Sequence, residues 1–250
     1  MLRNLFGKHG VSDPDRSVGS KTALAGLAYE EFIELIFSDS DIANKFNCNR
    51  QPDNMAEQIF YQTCAVYNID HVDTIKIIEV PKRDSGGPAK TDVCVAINGL
   101  FIKISVKQSS SANIAVAEFD VSTIKEEVGI TDATLLQLMN KFQTDASGKN
   151  FNVEEREILK SKIAPIKKEF VRWTLTGSPN KHEEDLRIAN HTIMFKVDYN
   201  TRYASSFSTY TIEQQVDTIT SRASGYGTGL SWTYATGTKG KKIQFKCPVM

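Results

Sequence analysis

The stretch TDVCVAINGLFIKISVK alternates apolar and mixed positions on both sides of Asn98-Gly99. Asn-Gly between two such runs predicts a two-residue hairpin, because a type I′ turn needs positive φ at both central residues. The register then follows by counting: Ile97 faces Leu100, Val95 faces Ile102, and Asp92 faces Ser105. Side chains alternate across a strand, so Val93, Val95, Ile97, Leu100, Ile102, Ile104 and Val106 form one apolar face. The opposite face is expected to be open, with Asp92, Cys94, Ala96, Phe101, Lys103, Ser105 and Lys107.

The segment LSWTYATGTKGKKIQFK sorts the same way about a turn near Gly237–Gly240. Trp232, Tyr234, Ile243 and Phe245 make its apolar face, and Ser231, Thr233, Lys242, Gln244 and Lys246 its polar one. Helical spacing appears from Lys21 to Phe37, where Leu24, Leu27, Ala28, Phe32, Leu35 and Ile36 recur and Glu30, Glu31 and Glu34 fall on the other side. Further helices are expected over Ala56–Tyr67, Ser122–Val128, Asp132–Phe142 (Thr131 as N-cap) and Thr211–Arg222. Asn152 with Glu155 resembles a capping box opening a helix to Leu175, which Pro165 kinks or splits. Thr74–Val80 and Thr192–Tyr199 read as strands, KRDSGGPAK and Ser109–Asn113 as loops, and GYGTG as a flexible turn.

The predicted architecture is a mixed β-sheet flanked by helices with a C-terminal β-hairpin, an α/β arrangement that resembles the restriction-endonuclease-like core. Without linker composition, the 250 residues read as one domain. Within it, 1–20 would be a loose arm, 70–200 the core carrying the first hairpin, and 205–250 a helix and the second hairpin.

Formal net charge is zero, which alone argues against nucleic acid, but distribution matters more than the sum. Four lysines and no acid lie between Lys239 and Lys246. The four cysteines form no C-x-x-C pair and give no zinc signature; free thiols in a reducing cytoplasm are the expectation. MLRNLFGKHG lacks the apolar stretch of a signal peptide, and no run is long enough for a transmembrane helix. GYGTG lacks the GK[ST] ending of a P-loop, and no two histidines are spaced i, i+4.

Opposed strand residues lie about 5 Å apart at Cβ, so Asp92, Ser105 and Lys107 can converge on one small ligand. An acid, then a small polar residue, a spacer and a lysine is the layout of the Mg²⁺-dependent PD-(D/E)xK nucleases, here without the proline and the second acid. A solvated hairpin face is the alternative. On the second hairpin, lysine can donate to guanine O6 and N7, and glutamine can donate and accept at a base edge. A two-stranded ribbon fits the major groove, whereas solubilising lysines on an exposed hairpin are the plainer alternative.

AYEEFIELIF, GGPAKTDV, ISVKQSS, AEFDVSTI, VGITDATLLQL, FVRWTLTG and GYGTGLSWTYATGTKGKKIQFK run in this order from about residue 20 to 247. In them the chain resembles the MspI family of type II restriction endonucleases. The resemblance implies Mg²⁺-dependent cleavage of both strands of double-stranded DNA at a short palindrome, CCGG, leaving 5′-phosphate and 3′-hydroxyl ends. It implies Asp92 and the Val106 carbonyl as metal ligands, Glu30 as one acting through water, and Lys107 as the catalytic lysine. At Ser105 the family pattern has asparagine, and at Ala115 serine. Thr233, Gln244 and Lys246 match base-reading positions. Lys239, Lys242, Ser109, Ser110, Ser111 and Asn113 are further expected DNA contacts. A companion DNA methyltransferase, a cytoplasmic location and a monomer or homodimer complete what the resemblance implies. A structure-selective or repair nuclease of the same fold, or a DNA-binding protein without activity, would share many of these features.

Overall fold

A computed structural model describes residues 1–82, 89–180, 184–223 and 226–249. Residues 83–88 of the expected KRDSGGPAK loop and Gly225 of GYGTG lie outside the described residues. The chain divides into two compact units: Met1–Ala112 with Glu183–Thr211 and Val249–Met250, and Asn113–His182 with Ile212–Pro248. Each is assembled from segments discontinuous in sequence, so no linker composition marks them.

The first unit is built on a five-stranded sheet in the order β1-β2-β3-β5-β6. Its strands are β1 (Ile75–Ile78), β2 (Val93–Ile97), β3 (Leu100–Ser109), β5 (His191–Val197) and β6 (Ala204–Thr211). All neighbours are antiparallel except β3 and β5, which run parallel. The β2–β3 register is the one counted from the turn: Ile97 pairs with Leu100 and Val95 with Ile102. Asn98 and Gly99 take φ of 50° and 84°, as a type I′ turn requires. The Asn98 carboxamide adds a second constraint, accepting from the Asp73 and Thr74 amides and donating to the His71 carbonyl, which ties the approach to β1 to the hairpin tip.

Helix α2 (Val18–Ser38) packs on β1, β2 and β3. Ser17 caps it by accepting from the Ser20 amide. Its buried stripe is Ala25, Ala28, Tyr29, Phe32, Ile33, Ile36 and Phe37. Leu27 and Leu35, expected in that stripe, are instead exposed. Tyr29 takes a central place: its ring stacks on Phe195 at 4.3 Å and its hydroxyl donates to the Arg202 carbonyl at 2.8 Å. The first residues are not a loose arm. α1 (Leu2–Lys8) buries Leu5 and Phe6, and Phe6 meets the Tyr29 ring edge-on at 5.6 Å. Lys8 and His9 both reach Glu31 of α2. Two further helices, α3 (Ser40–Asn47) and α4 (Met55–Val66), complete this unit.

In the second unit, β4 (Asn113–Phe119), β7 (Ser231–Thr233) and β8 (Ile243–Pro248) form a three-stranded antiparallel sheet ordered β4-β8-β7. The expected two-stranded ribbon is therefore the outer part of a sheet in which β8 is central. With it are α5 (Val121–Val128), α6 (Ala133–Asp145), α7 (Val153–Ile163), α8 (Lys167–Thr176) and α9 (Ile212–Thr220). Asp132, not Thr131, caps α6, accepting from the Leu135 amide at 2.9 Å. The Asn152–Glu155 capping box is complete. Pro165 splits the expected long helix into α7 and α8 through a 3₁₀ turn, Ala164–Ile166. Phe170, Trp173, Trp232 and Phe245 fill the core of this unit, with Phe170 and Phe245 edge-on at 5.3 Å. The described part of GYGTG is packed rather than flexible: Thr228 and Gly229 are buried, and Thr228 Oγ1 accepts from Trp232 Nε1 at 3.0 Å.

His191, at the start of β5, is fully buried and pushed down to about 3 by burial. Its Nε2 meets Thr209 Oγ1 at 2.5 Å, while Nδ1 has no hydrogen-bond partner among the described residues. The unfolded chain binds this proton below the ordinary histidine range and the folded chain does not. Stability from His191 is therefore complete above about pH 6.5 and is lost as pH falls toward 3. Wild-type stability minus that of His191→Leu should fall by about 1.4 kcal/mol per pH unit below pH 6. Urea unfolding at several pH values checks this, and a flat difference would contradict the buried neutral imidazole.

Candidate active site and DNA-reading sheet

In the first unit the hairpin register carries Asp92 to Ser105, where the Asp92 amide donates to the Ile104 carbonyl at 2.8 Å. One carboxylate oxygen, Asp92 Oδ2, then collects three donors. They are the Val106 amide at 2.7 Å, Lys107 Nζ at 3.1 Å and Ser105 Oγ at 3.3 Å. Lys107 Nζ also donates to the Val106 carbonyl at 3.0 Å. The acid, the serine and the lysine thus meet in one cluster, as the spacing predicted, with the Val106 carbonyl beside them. Asp92 Oδ1 takes no hydrogen bond from the described residues. Asp92 and Lys107 keep about a fifth of their side-chain surface exposed, at 20% and 23%, so solvent reaches them.

Glu30 joins them from α2. Burial, then the negative charge of Asp92, push its carboxyl up to about 7, against the opposing pull of Lys107. The periodicity had set Glu30 on the solvent side of its helix with Glu31 and Glu34; it is half-buried and electrostatically coupled to Asp92. A pocket of about 440 Å³ opens beside the cluster, lined among others by Glu34, Glu79, Asp92 and Cys94.

The face expected to be open is largely covered. Cys94, Lys103 and Ser105 are buried, and only the Phe101 end is exposed. The cover is the segment before β5. Asn190 accepts from the Lys103 amide through Oδ1, donates its own amide to the Lys103 carbonyl, and donates Nδ2 to the Phe101 carbonyl. The Asp185 carbonyl accepts from Lys103 Nζ at 3.0 Å, and the Arg187 carbonyl accepts from the Lys90 and Thr91 amides. These bonds fix both strands beside Asp92. Hairpin counting gives the face a side chain occupies but not what packs on it, so this strap left no local signal.

Ser109 ends β3, and Ser110–Ala112 make a shorter loop than expected, since Asn113 already begins β4. The serines are internally bonded, Ser109 Oγ to Ser111 Oγ at 3.1 Å, and Lys196 Nζ holds the Ser110 and Ser111 carbonyls.

In the second unit Thr233 pairs with Gln244, and Ser231 with Lys246. On the other side of β8, Gln244 pairs with Glu118 and Lys246 with Ala115. Glu118, which the sequence reading passed over, orients the amide: its carboxylate accepts from Gln244 Nε2 at 3.2 Å and from Thr238 Oγ1 at 2.6 Å. Trp232, Ile243 and Phe245 are buried as expected. Tyr234 is not; it is exposed, with Lys239 Nζ 5.5 Å above its ring. Lys239, Lys242 and Lys246 pair with no carboxylate among the described residues. Cys64, Cys94 and Cys247 are buried and in no disulfide among the described residues, and Cys48 is exposed. No described helix is long and apolar enough to cross a membrane.

Comparison with known proteins identifies the family of this chain. The model of the restriction endonuclease MspI family matches residues 12–247. The type II restriction enzyme MspI of Moraxella sp is 30% identical, with 98% of each chain covered. A crystal structure of restriction endonuclease MspI in complex with its cognate DNA superposes with a TM-score of 0.84 at 29% identity, again covering 98% of each chain. The mixed sheet with flanking helices is the fold of that enzyme, and this chain belongs to the MspI family of type II restriction endonucleases.

Proposed function

We propose that this chain cuts both strands of DNA at the palindrome CCGG in a Mg²⁺-dependent reaction that leaves 5′-phosphate and 3′-hydroxyl ends. The observation that carries the reading is Asp92, with one carboxylate oxygen held by Ser105, Val106 and Lys107 and the other left to a ligand. The residues fit a hard divalent cation. Asp92 Oδ1 and the Val106 carbonyl are oxygen donors, and Mg²⁺ prefers oxygen ligands and keeps several waters. Glu30, pushed up to about 7 beside Asp92, is an acid that a nearby cation would return to its ionised form and would hold through water. When bound, the ion supplies positive charge that lowers the pKa of water and offsets charge on the phosphate.

The remaining chemistry belongs to the chain. Lys107 is anchored at two oxygens, so its ammonium is preorganised to orient the attacking water and to neutralise charge on the scissile phosphate. Ser105 is buried and donates to Asp92, so it orients that carboxylate. The first unit supplies chemistry and the second reads sequence, together one endonuclease. Lys246 addresses guanine O6 and N7, Thr233 and the Glu118-oriented Gln244 read neighbouring bases, and Lys239, Lys242, Ser109, Ser110, Ser111 and Asn113 contact the DNA. The MspI crystal with its cognate DNA supports duplex DNA as the ligand. The enzyme works in the cytoplasm as a monomer or homodimer, alongside a methyltransferase that protects the host's own sites.

A labelled duplex with one CCGG site and a scrambled duplex, each incubated with Mg²⁺ and with EDTA, test the proposal. Cleavage of the first duplex alone, only with Mg²⁺, is expected. Cleavage of both would favour a structure-selective nuclease. Lys246→Ala should lose about 1–3 kcal/mol of discrimination, measured as the ratio of dissociation constants for the two duplexes. Equal weakening on both would make Lys246 a backbone contact.

A further inference from the structure

A second cationic feature lies in the second unit, outside the residues assigned so far. An open pocket of about 260 Å³ has Phe142, Tyr226 and Trp232 among its lining residues, together with Thr233 of the reading face. Lys149 and Arg156 also line it, and none of its lining residues is acidic. The loop after α6 that carries Lys149 is held rigidly. Arg156 Nη2 donates to the Gly148 carbonyl at 2.6 Å, and Asn150 Nδ2 donates to Asp145 Oδ2 at 2.9 Å. Ser147 Oγ accepts from the Lys149 amide at 3.1 Å. Gly148 lies so close under Tyr226 that a Cβ there would stand 2.0 Å from the phenol oxygen.

Of the acids near this loop in sequence, Asp145 accepts from Asn150. Glu155 pairs with Lys141 and Glu157 with Lys160. Arg156 spends its donors on loop carbonyls, and Lys149 is exposed with no carboxylate partner among the described residues. Lys149 and Arg156, neither paired with a carboxylate among the described residues, therefore stand at a pocket that shares Thr233 with the reading face. A lysine ammonium is a flexible point charge that suits a phosphate oxygen, and Lys149 lies on a loop, not on the strands of the reading face.

We propose that the Ser147–Lys149 loop is a DNA-backbone clamp, in which Lys149, braced by Arg156, holds a phosphate of the strand whose bases face Thr233 and Gln244. The inference rests on the reading of that face as the base-reading surface. It is tested by titrating fluorescent CCGG and scrambled duplexes in EDTA, at several salt concentrations, with wild type, Lys149→Ala and Lys149→Glu. Lys149→Ala should bind both duplexes more weakly by the same factor, and the slope of log K against log salt should shrink by about 0.9, the loss of one phosphate contact. Lys149→Glu should weaken both further. An unchanged slope, or a loss confined to the CCGG duplex, overturns the clamp while leaving the reading face intact. A wild-type chain that binds neither duplex overturns both, and does so before any variant is compared.

Discussion

Replacing Asp92 or Lys107 with alanine is expected to lower cleavage of a CCGG duplex by about 10²–10³-fold or more, while specific binding persists. Asp92→Ala removes the acceptor of three donors and the oxygen left for a ligand. Lys107→Ala removes the ammonium fixed at that carboxylate among the described residues. Neither residue belongs to the β7–β8 reading face, so the dissociation constant for a CCGG duplex in EDTA should stay close to wild type. Single-turnover cleavage and binding, measured in parallel, check both halves. Asp92→Asn is the folding control. It keeps the shape and an acceptor oxygen for the Val106 amide, so lost cleavage with an unchanged Tm separates chemistry from stability. Full activity in Lys107→Ala would remove the lysine from the mechanism.

The second large effect is structural. Gly229→Ala should destabilise the fold by about 2–5 kcal/mol, the sum of positive-φ strain and overpacking. Gly229 has φ of +83°, and a Cβ there would lie 1.9 Å from the Ile219 carbonyl oxygen of α9. That obstacle is backbone, which cannot rotate away as a side chain can. Relief would have to move α9 or the turn that sets Thr228 under the Trp232 indole. Gly26 of α2 is the contrast: nothing lies within 4 Å of its Cβ position, so Gly26→Ala should stabilise the helix by about 0.5–1 kcal/mol. Urea unfolding of the two variants decides. A Gly229→Ala change within about 0.5 kcal/mol would mean that the GYGTG turn is not packed as described.

What could be read from the sequence depended on how local the determining interactions are. Asn98-Gly99 fixes its own turn and therefore the whole β2–β3 register, which is why Asp92 meets Ser105 and Lys107 as counted. The Asn152 capping box and the break at Pro165 are equally local. The β6 sequence ASSFSTYT has no apolar alternation, and its strand exists because β5 offers an edge to pair with. β4 completes the sheet of the second unit through pairing with β8, more than a hundred residues away in sequence, and so the hairpin looked two-stranded. Glu118 was invisible for the same reason. In α1 Leu5 and Phe6 are buried and Leu2 packs beside them, a short apolar set that gives no long period to read in MLRNLFGKHG. On α2 the acids compete with the apolar pattern: Glu30 is half-buried and feels the charge of Asp92, and Tyr29 and Ile33 take the buried positions that Leu27 and Leu35 were expected to fill. In each case a tertiary partner overrode the local pattern.

Sequence-specific, metal-dependent cleavage is the activity we propose for the Asp92–Lys107 cluster. Its most direct test is digestion of unmethylated plasmid DNA with Mg²⁺ and with EDTA, followed by sequencing of the fragment ends. Discrete fragments that appear only with Mg²⁺ and all end at CCGG are the predicted result. Intact plasmid at every salt concentration, or ends scattered without a consensus, would contradict it.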